Sequence, residues 1–471
     1  MKTKVTIYIT NHNYGKYLHK SVNSCLNQSF RDFEILIIDD GSKDNSKSII
    51  NNFAKKSPLV TAIFQKNLGL IKSCNRALYA AKGKYILRLD ADDWLHPNAI
   101  EIMYNYLEKN KKAEFVFPDF YEVDHSGKIL SHIKRHDFKS VKLFDQPAHG
   151  ACTMFKVSTL KLNGGYDEKF NCQDGVDIWL RFQKKYKIHN INLPLFYYRK
   201  HSVSLTKNQE KILKNRSKIF FKNNTKKKKP IVIGFIPIRG SQYDSNSPEF
   251  ITLGKKKLID WTIDNLLKSK IISHIIISSP DNKVLNYVKK IKNNRLIPLK
   301  RSSALATSNI MIDQSINQAI SFYKKKKKIN PSFILVSKIN CPFMDPRHFD
   351  NSINSMQIHN LEIIFGVNKI NKYLFKHNGK SLKALRNIDS SFYNLDRKSK
   401  FLLRLEQDEV YSEAGNFVIY KNLGNKISSS KSAKIGHEIL DNLSAFELNS
   451  SLHWDLAQNI SKNINYYKTK I

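Results

Sequence analysis

Residues 83–97 read GKYILRLDADDWLHP and combine a strand pattern with an acidic loop. An apolar run, ILRL, leads into the acidic cluster DADD at 90–93, and Trp94 and Pro97 end the loop. Carboxylates gathered at the mouth of a sheet repel each other unless a cation lies between them. Mg²⁺ and Mn²⁺ take oxygen ligands and bridge to phosphate. The cluster therefore predicts a divalent metal site beside a phosphate-bearing ligand, with a turn or helix cap as the alternative.

The segments before this stretch alternate between strand and helix patterns. We predict strands at 5–9, 34–38, 60–64 and 85–89, and helices at 15–28, 45–55 and 70–81. Such alternation predicts an α/β fold with a parallel sheet covered on both faces, in which ligands bind beyond the carboxyl ends of the strands. The pair Asp39-Asp40 follows the second strand, so it should lie at the same edge as the DADD cluster.

The composition limits the class of protein. A chain of 471 residues predicts two domains, and 41% apolar residues exclude global disorder. The net charge of +39 favours anionic partners such as nucleotides and acidic membrane surfaces. Compositional drift would also produce this excess of lysine, and no motif that reads RNA or DNA accompanies it. We therefore predict no nucleic-acid partner and leave open a peripheral contact with an anionic membrane.

Cysteine use and hydropathy indicate the compartment. The five cysteines are an odd number without a CxxC pair, which fits a reducing environment. The apolar stretch near the N-terminus is too short for a signal peptide, and no apolar run approaches the ~18–20 residues that span a bilayer. We expect a cytoplasmic protein that at most contacts the inner face of the membrane.

Motifs along the first 205 residues resemble the family 2 glycosyltransferases of the GT-A fold. The matching pieces, in the family's order, are VTIYITNHNYGKYLHKSVNSCLNQSF, FEILIIDDGSKDNS, NLGLIKSCNRAL, GKYILRLDADDWLHP, GGYDEKFNCQDGVDIWLRF and YYRKHSVS. The combination is highly specific. The resemblance implies metal-dependent, inverting transfer of a sugar from a nucleoside diphosphate donor, with a UDP-sugar expected, to a hydroxyl. The implied acceptor is a glycan or lipid-linked sugar in surface polysaccharide biosynthesis.

The resemblance also implies donor-binding residues. Asp39 and Asp40 match the acidic pair of which one carboxylate meets the nucleobase edge or the ribose. Asn67, Gly69 and Asn75 match the NxG…N segment that lines the nucleotide. The alternative for this segment is a turn followed by a helix start.

The Asp-x-Asp motif and a late histidine match the family's metal centre, which holds Mn²⁺ or Mg²⁺. Asp92 matches the direct metal ligand, while Asp90 lies nearer the ribose and contributes to both sites. His201 matches a histidine that completes the metal and diphosphate shell. A surface histidine after a strand is the alternative for that residue.

Asp174 is the predicted catalytic base. An inverting transferase needs a carboxylate that takes the proton of the acceptor hydroxyl while its oxygen attacks C1 of the sugar. The family places this carboxylate in an acidic pair at the start of a helix; here Gln173 replaces the first acid and Asp174 matches the second. A helix N-cap is the alternative role. Asp177 is expected to be structural and to pair with Arg181 one turn later.

The second half again predicts an α/β domain. We predict a glycosyltransferase domain at 1–212, a Lys-rich linker with a frayed helix at 213–230, and a second nucleotide-binding type of domain at 231–471 that opens on a strand at 231–238. The stretch YSEAGNFVIYKN at 411–422 predicts an edge strand.

This half resembles the cytidylyltransferases that activate acidic sugars. Arg239 and Gly240 match the opening motif, GKKKLIDWTI matches GKPLIxWTI, and Arg301 in LKRSSALA matches RPxxLA. The Lys-bearing loop is replaced by SQYDSNSPEF, and the late Asp-x-Asp has become Glu447-Leu448-Asn449. We therefore expect a degenerate domain, with Arg239, Arg301, Glu447 and Asn449 as candidate site residues. A CTP-dependent sugar-activating enzyme, a non-catalytic sugar or nucleotide binder and a docking module remain the alternatives.

Overall fold

The computed structural model describes residues 3–135, 150–187, 189–201, 209–223, 229–307, 311–370, 375–377, 382–384, 410–424, 427 and 433–469. The chain divides into two compact units, Met1–Lys228 and Lys229–Ile471. Among the described residues no helix is both long and apolar enough to cross a bilayer.

The first unit combines nine strands with seven helices in its described part. The strands are β1 (Val5–Asn11), β2 (Phe33–Asp40), β3 (Val60–Gln65), β4 (Tyr85–Asp90), β5 (Trp94–Leu95), β6 (Phe115–Val123), β7 (Ile129–Ile133), β8 (Met154–Lys156) and β9 (His189–Arg199). The helices are α1 (Gly15–Leu26), α2 (Ser46–Lys56), α3 (Leu70–Ala80), α4 (Ala99–Lys109), α5 (Val157–Leu162), α6 (Asp174–Gln183) and α7 (Gln209–Asn223). The seven elements predicted between residues 5 and 89 are confirmed.

The strands form one sheet in the order β3-β2-β1-β4-β8-β6-β9-β5, with β7 paired to β6. Strands β1 to β4 are parallel and β8 joins antiparallel. Strands β1 and β2 are buried along their whole length, because α1, α2 and α4 cover one face of the sheet while α3, α5, α6 and α7 cover the other. Burial on both faces explains their near-continuous apolar sequences. The predicted α/β class is confirmed.

The boundary predicted at residue 212 differs from the structure. Helix α7 runs through the first part of the predicted linker and packs on the first unit, where Ile219 is fully buried in the core. Lys222 of this helix donates hydrogen bonds to Asp167 and Asp177, at 2.7 and 2.8 Å. The lysine-rich composition suggested a frayed segment, but Ile212 and Ile219 lie seven residues apart and give the helix an apolar face. Residues 224–228 of the predicted linker lie outside the described residues.

In its described residues the second unit contains a seven-stranded sheet and two small hairpins. Its strands are β10 (Val232–Pro237), β11 (Thr252–Leu253), β12 (Lys256–Lys257), β13 (Ile272–Ser279), β14 (Leu296–Lys300), β15 (Phe333–Ser337), β16 (Ile363–Ile370), β17 (Phe375–His377), β18 (Leu382–Ala384), β19 (Val410–Lys421) and β20 (Ile435–Ile439). Its α-helices are α8 (Leu258–Lys268), α9 (Asn282–Lys290), α10 (Ile312–Lys327), α11 (Pro346–His359), α12 (Ser451–Lys462) and α13 (Ile464–Thr469).

The main sheet of this unit has the order β14-β13-β10-β15-β19-β16-β20. Strands β14, β13, β10 and β15 are parallel, and β19 runs antiparallel to β15 and β16. The prediction of an edge strand at 411–422 is therefore wrong, because β19 lies inside the sheet. Apolar clusters on both faces confirm the α/β class for this unit. Its likeness to cytidylyltransferases stays a prediction.

Candidate active site

The register of β1 brings the predicted acidic residues to one edge of the sheet. Asn11 lies opposite Asp39 and Thr10 lies opposite Asp90. Asp39 is buried and accepts hydrogen bonds from Asn11 Nδ2 at 2.7 Å and from the Ser42 hydroxyl at 2.6 Å. The polar ends of β1, β2 and β4 therefore meet where a parallel sheet binds ligands.

Asp40 holds the loop that follows β3. Its carboxylate accepts hydrogen bonds from the backbone amides of Leu68 and Gly69, both at 2.8 Å, and from Gln65 Nε2 at 2.7 Å. Gly69 has φ +91°, and a Cβ added there would meet no atom within 4 Å. A side chain at this position would be strained by the backbone alone, and the space in front of it is open. Asn67 lies beside His12, with Asn67 Nδ2 and His12 Nε2 3.2 Å apart.

Asn75 lies apart from this loop although it belongs to the same sequence segment. Its amide nitrogen donates to the Tyr166 carbonyl and its amide oxygen accepts from the Tyr166 backbone N–H, both at 2.9 Å. It also donates to Glu168 at 3.0 Å. The structure therefore uses Asn75 to fix the chain that leads to Asp174, and its contact with a nucleotide stays a prediction.

A buried arginine connects the acidic cluster to the predicted base. Arg88 Nε and Nη2 donate to the two oxygens of Asp90 at 2.7 and 2.9 Å, and Arg88 Nη1 donates to Asp174 Oδ2 at 2.6 Å. The arginine side chain is 6% exposed and that of Asp174 is 8% exposed. Burial disfavours the charge on Arg88, but the Asp174 and Asp90 carboxylates hold the pKa of the guanidinium well above its ordinary value. Asp90 and Asp174 are thus brought together, 84 positions apart in the chain.

The last strand brings His201 to Asp92. His201 Nε2 and Asp92 Oδ2 are 2.8 Å apart. The imidazole packs against Tyr14 and Tyr17, with ring centroids 5.5 Å away in both cases. Arg199 Nε donates to the Asp92 carbonyl at 2.9 Å, so the loop after β4 is held against β9.

Asp93 is almost completely buried. Its Oδ1 accepts the Arg199 backbone N–H at 2.9 Å, while Oδ2 has no hydrogen-bond partner among the described residues. Burial, together with the charges of Asp92 and Asp90, raises the pKa of Asp93 well above its usual value. Its burial and its bond to the backbone of Arg199 distinguish Asp93 from Asp92, whose carboxylate lies beside His201.

The donor atoms at this edge suit a hard divalent cation only in part. Among the described residues no group of three or more His, Cys, Asp or Glu side chains is arranged to hold a metal ion. Asp92 and His201 offer one oxygen and one nitrogen, while Asp90 is turned to Arg88. Two protein ligands fit a Mg²⁺ or Mn²⁺ that takes its other ligands from substrate phosphate and water.

The base candidate begins helix α6. Gln173 adopts a left-handed conformation, with φ +64°, and its side-chain oxygen accepts from Arg216 Nε of α7 at 2.7 Å. A Cβ added to Gly150 would lie 2.5 Å from Asp174 Oδ2 and 2.9 Å from Arg88 Nη1. Only a glycine therefore lets the chain pass over the Arg88–Asp174 pair. The expected pair of Asp177 and Arg181 is confirmed at 2.9 Å.

The candidates in the second unit form two groups. Arg239 and Arg301 follow strands β10 and β14, and burial, with the nearby charge of Arg239, lowers the pKa of Arg301. Arg301 Nη2 donates to the Ile238 carbonyl at 3.1 Å, and its Nε has no partner among the described residues. Glu447 accepts from Asn340 Nδ2 at 2.7 Å and from Asn449 Nδ2 at 3.1 Å. The late acidic residue is therefore satisfied by amides.

Arg88 is the functional residue that sequence reasoning missed. It is the one charged residue within the apolar run ILRL of β4, and it lies two positions before Asp90. Residues two apart in a strand share a face of the sheet. An arginine in a buried strand needs an anionic partner. The sequence spacing could therefore have predicted the contact of Arg88 with Asp90, but not its contact with the distant Asp174.

Comparisons with known proteins concern the N-terminal unit. Residues 6–161 match the glycosyl transferase family 2. A chondroitin synthase of Pasteurella multocida is 31% identical over 189 residues, which are 40% of this chain and 20% of the relative. An uncharacterized glycosyltransferase of Methanocaldococcus jannaschii is 32% identical over 191 residues, which are 39% of this chain and 66% of the relative. The chain thus spans only about a fifth of the length of the chondroitin synthase.

Among solved structures, S. aureus TarS in complex with UDP-GlcNAc matches 46% of this chain and 65% of its own, with 18% identity and a TM-score of 0.39. The family match covers β1 to β4, the DADD cluster and the strand after it. The N-terminal unit of this chain therefore contains a glycosyltransferase family 2 domain.

Proposed function

We propose that the N-terminal unit transfers a sugar from a nucleoside diphosphate donor, with a UDP-sugar expected, to a hydroxyl group of an acceptor, with inversion at C1. The observation that carries this proposal is the bridge from Asp90 through Arg88 to Asp174. This bridge joins the donor side of the site to a carboxylate that can serve the acceptor.

The donor would lie along the ends of β1, β2 and β4. The Asp39 carboxylate and the loop held by Asp40 lie on the nucleoside side, while Asp90 and Asp92 lie on the diphosphate side. Asp92 and His201 would hold Mn²⁺ or Mg²⁺, which when bound stabilises the negative charge of the departing diphosphate. The open space in front of Gly69 leaves room for a ligand to approach the backbone.

Asp174 would act as the base. Arg88 occupies its Oδ2, and no described residue donates to its Oδ1. Oδ1 takes the proton of the acceptor hydroxyl as the acceptor oxygen forms its bond to C1, and the bond from C1 to the diphosphate oxygen breaks. The proton remains on Asp174, and the electron pair leaves with the nucleoside diphosphate. A glycan or lipid-linked acceptor, peripheral contact with an anionic membrane and a cytoplasmic location belong to the same proposal.

Two variants test the assignments separately. Asp92→Ala should abolish both turnover and the metal-dependent thermal shift that a nucleotide panel induces. Asp174→Ala should retain that shift and lose transfer. Asp32→Ala, which removes a half-buried carboxylate paired with Lys4 on another part of the first unit, is the matched control. Near-full transfer by Asp174→Ala would disprove the base assignment, and an undiminished UDP and Mn²⁺ response in Asp92→Ala would disprove the metal site.

A second candidate function concerns the C-terminal unit. Arg239 and the partly unsatisfied Arg301 favour an anionic ligand at the ends of β10 and β14. We propose that this unit binds a nucleotide or an acidic sugar without turnover, because Glu447 is engaged by amides. CTP-dependent release of pyrophosphate with a nonulosonic acid would contradict this view and support a sugar-activating enzyme. The proposal of binding without turnover would be supported if the native chain binds CMP and the Arg301→Met variant does not.

A further inference from the structure

A basic groove lies where helix α7 packs beside the chain that leads to α6. The groove encloses about 340 Å³ and is lined by four lysines, two asparagines and one glutamate. The lysines are Lys169, Lys211, Lys214 and Lys218. Three of them occupy α7 at positions i, i+3 and i+7, which places them along one face of the helix.

Basic side chains outnumber acidic ones in the lining of this groove. Four ammonium groups and one carboxylate leave three net positive charges. Lys169, Lys214 and Lys218 form no ion pair with any residue that the structure describes, whereas Lys222 of the same helix pairs with Asp167 and Asp177. Like charges around a concave surface repel each other, and an anion between them relieves that repulsion.

The groove adjoins the proposed base. Lys169 and Asn171 precede Asp174 by five and three residues, so the Cα atoms of Asn171 and Asp174 are at most about 11 Å apart. The segment between them is tied to α7, because Asn215 Nδ2 donates to Asn171 Oδ1 at 3.0 Å and Arg216 donates to Gln173. The charges of Lys211, Asp174 and Arg216 all influence the Cys172 thiol, whose pKa is raised mainly by burial. A ligand in this groove would therefore reach toward the acceptor side of the site.

We propose that the groove binds a phosphate group of the acceptor. The inference rests on the proposed function, since it names the acceptor class for the same site. Lysine binds phosphate as a point charge, whereas planar, bidentate recognition of a carboxylate favours arginine. The groove offers lysines from two separate segments, so a phosphate can be approached from two sides. The phosphate belongs either to a lipid headgroup or to a soluble phosphorylated glycan.

Binding of inorganic pyrophosphate tests the groove without knowledge of the acceptor. Titration calorimetry is done on the full chain in EDTA, which removes the divalent ion through which the donor site would hold a diphosphate. All variants carry Arg301→Met, which removes the anion site proposed in the C-terminal unit. The test variant is Lys169→Gln/Lys214→Gln/Lys218→Gln. The matched control is Lys324→Gln/Lys325→Gln/Lys327→Gln, which removes the same charge from the exposed end of α10.

We expect the control to bind like the native chain and the groove variant to bind at least tenfold more weakly. Binding to the native chain should weaken as salt is raised from 0.05 to 0.5 M, because exposed charges are screened (the Debye length falls below about 10 Å). Equal binding by both variants, or acetate bound as tightly as pyrophosphate, would overturn the proposal. All six substituted lysines are exposed, so unchanged circular dichroism is expected.

Two further measurements separate the source of the phosphate and the dependence on the proposed function. Vesicles containing phosphatidylglycerol that compete with pyrophosphate would identify a lipid headgroup, and vesicles that do not compete would identify a soluble acceptor. The Asp92→Ala variant should still bind pyrophosphate, and the groove variant should still show the UDP and Mn²⁺ response. A native chain that binds pyrophosphate in the groove but transfers no sugar would refute only the proposed reaction. A groove variant that binds pyrophosphate like the native chain would refute only the phosphate site.

Discussion

Arg88→Met removes the cation that joins Asp90 to Asp174, and it tests whether the edge of the sheet depends on this bridge. The substitution keeps an unbranched apolar chain in the strand and deletes three charged hydrogen bonds of 2.6 to 2.9 Å. Asp174 is then left 8% exposed without its partner, while Asp90, at 26%, retains access to water.

The expected cost follows from this difference in exposure. Breaking a buried ion pair by removing one partner costs about 3–5 kcal/mol, because the remaining charge is left uncompensated. We expect the free energy of unfolding of the N-terminal unit to fall by this amount. Arg88→Met/Asp174→Asn should recover part of the loss, since the amide carries no charge, with a coupling of about 1–3 kcal/mol. Arg76→Met, at an exposed position of α3, should change stability by less than about 0.5 kcal/mol.

Hydrogen exchange in increasing urea, measured by mass spectrometry, reports on peptides of β1 and β4 separately from the second unit. Native-like protection of β4 in Arg88→Met would refute the structural role of the bridge. A double variant no more stable than Arg88→Met would refute the assignment of the cost to an unpaired Asp174. Because Asp174 is the proposed base, the double variant should regain stability without regaining transfer activity, and restored transfer would show that the bridge only stabilises the fold.

Three further predictions concern other parts of the chain. Burial disfavours the charged form of His348, but Asp441 and Glu438 on either side of the ring raise its pKa from 6.5 to about 9. This pairing should contribute about 3 kcal/mol to the free energy of unfolding below pH 6.5, and the contribution should be lost as the pH rises through 9. His348→Gln should flatten this pH dependence in unfolding experiments. Ile219→Ala should lower the free energy of unfolding of the first unit by about 2–5 kcal/mol, because Ile219 of α7 lies in its core. An unchanged midpoint of urea unfolding would instead support a linker at residues 213–223. Gly150→Ala places a Cβ 2.5 Å from Asp174 Oδ2, so it should lower kcat at least tenfold and leave donor Kd unchanged, and unaltered kcat would contradict the close approach.

The sequence predicted the parts of the site that local pattern controls. Apolar runs with acidic ends gave β2 and β4, and parallel pairing with β1 then placed Asp39 and Asp90 at one edge. Contacts between distant segments were out of reach. The position of α7 depends on Asp167 and Asp177, some fifty residues earlier, and composition alone made it resemble a linker. The sequence of β19 has the pattern of an edge strand. Its second edge is covered by β16, which lies about fifty residues earlier in the chain, and the local pattern cannot reveal that pairing.

The surroundings of each carboxylate narrow the position of the proposed cation. Hydrogen-bond donors of the protein satisfy Asp39 and Asp40, and Arg88 compensates both Asp90 and Asp174. Burial favours the neutral form of Asp93. Among the residues that the structure describes, the imidazole of His201 is the one basic group within ion-pair distance of the Asp92 carboxylate. No lysine or arginine of the described part of the chain pairs with Asp92, and a divalent ion shared with the donor diphosphate would compensate this carboxylate. On this reasoning Asp92→Asn should weaken metal-dependent donor binding more than Asp90→Asn, and the reverse order would move the cation toward Arg88.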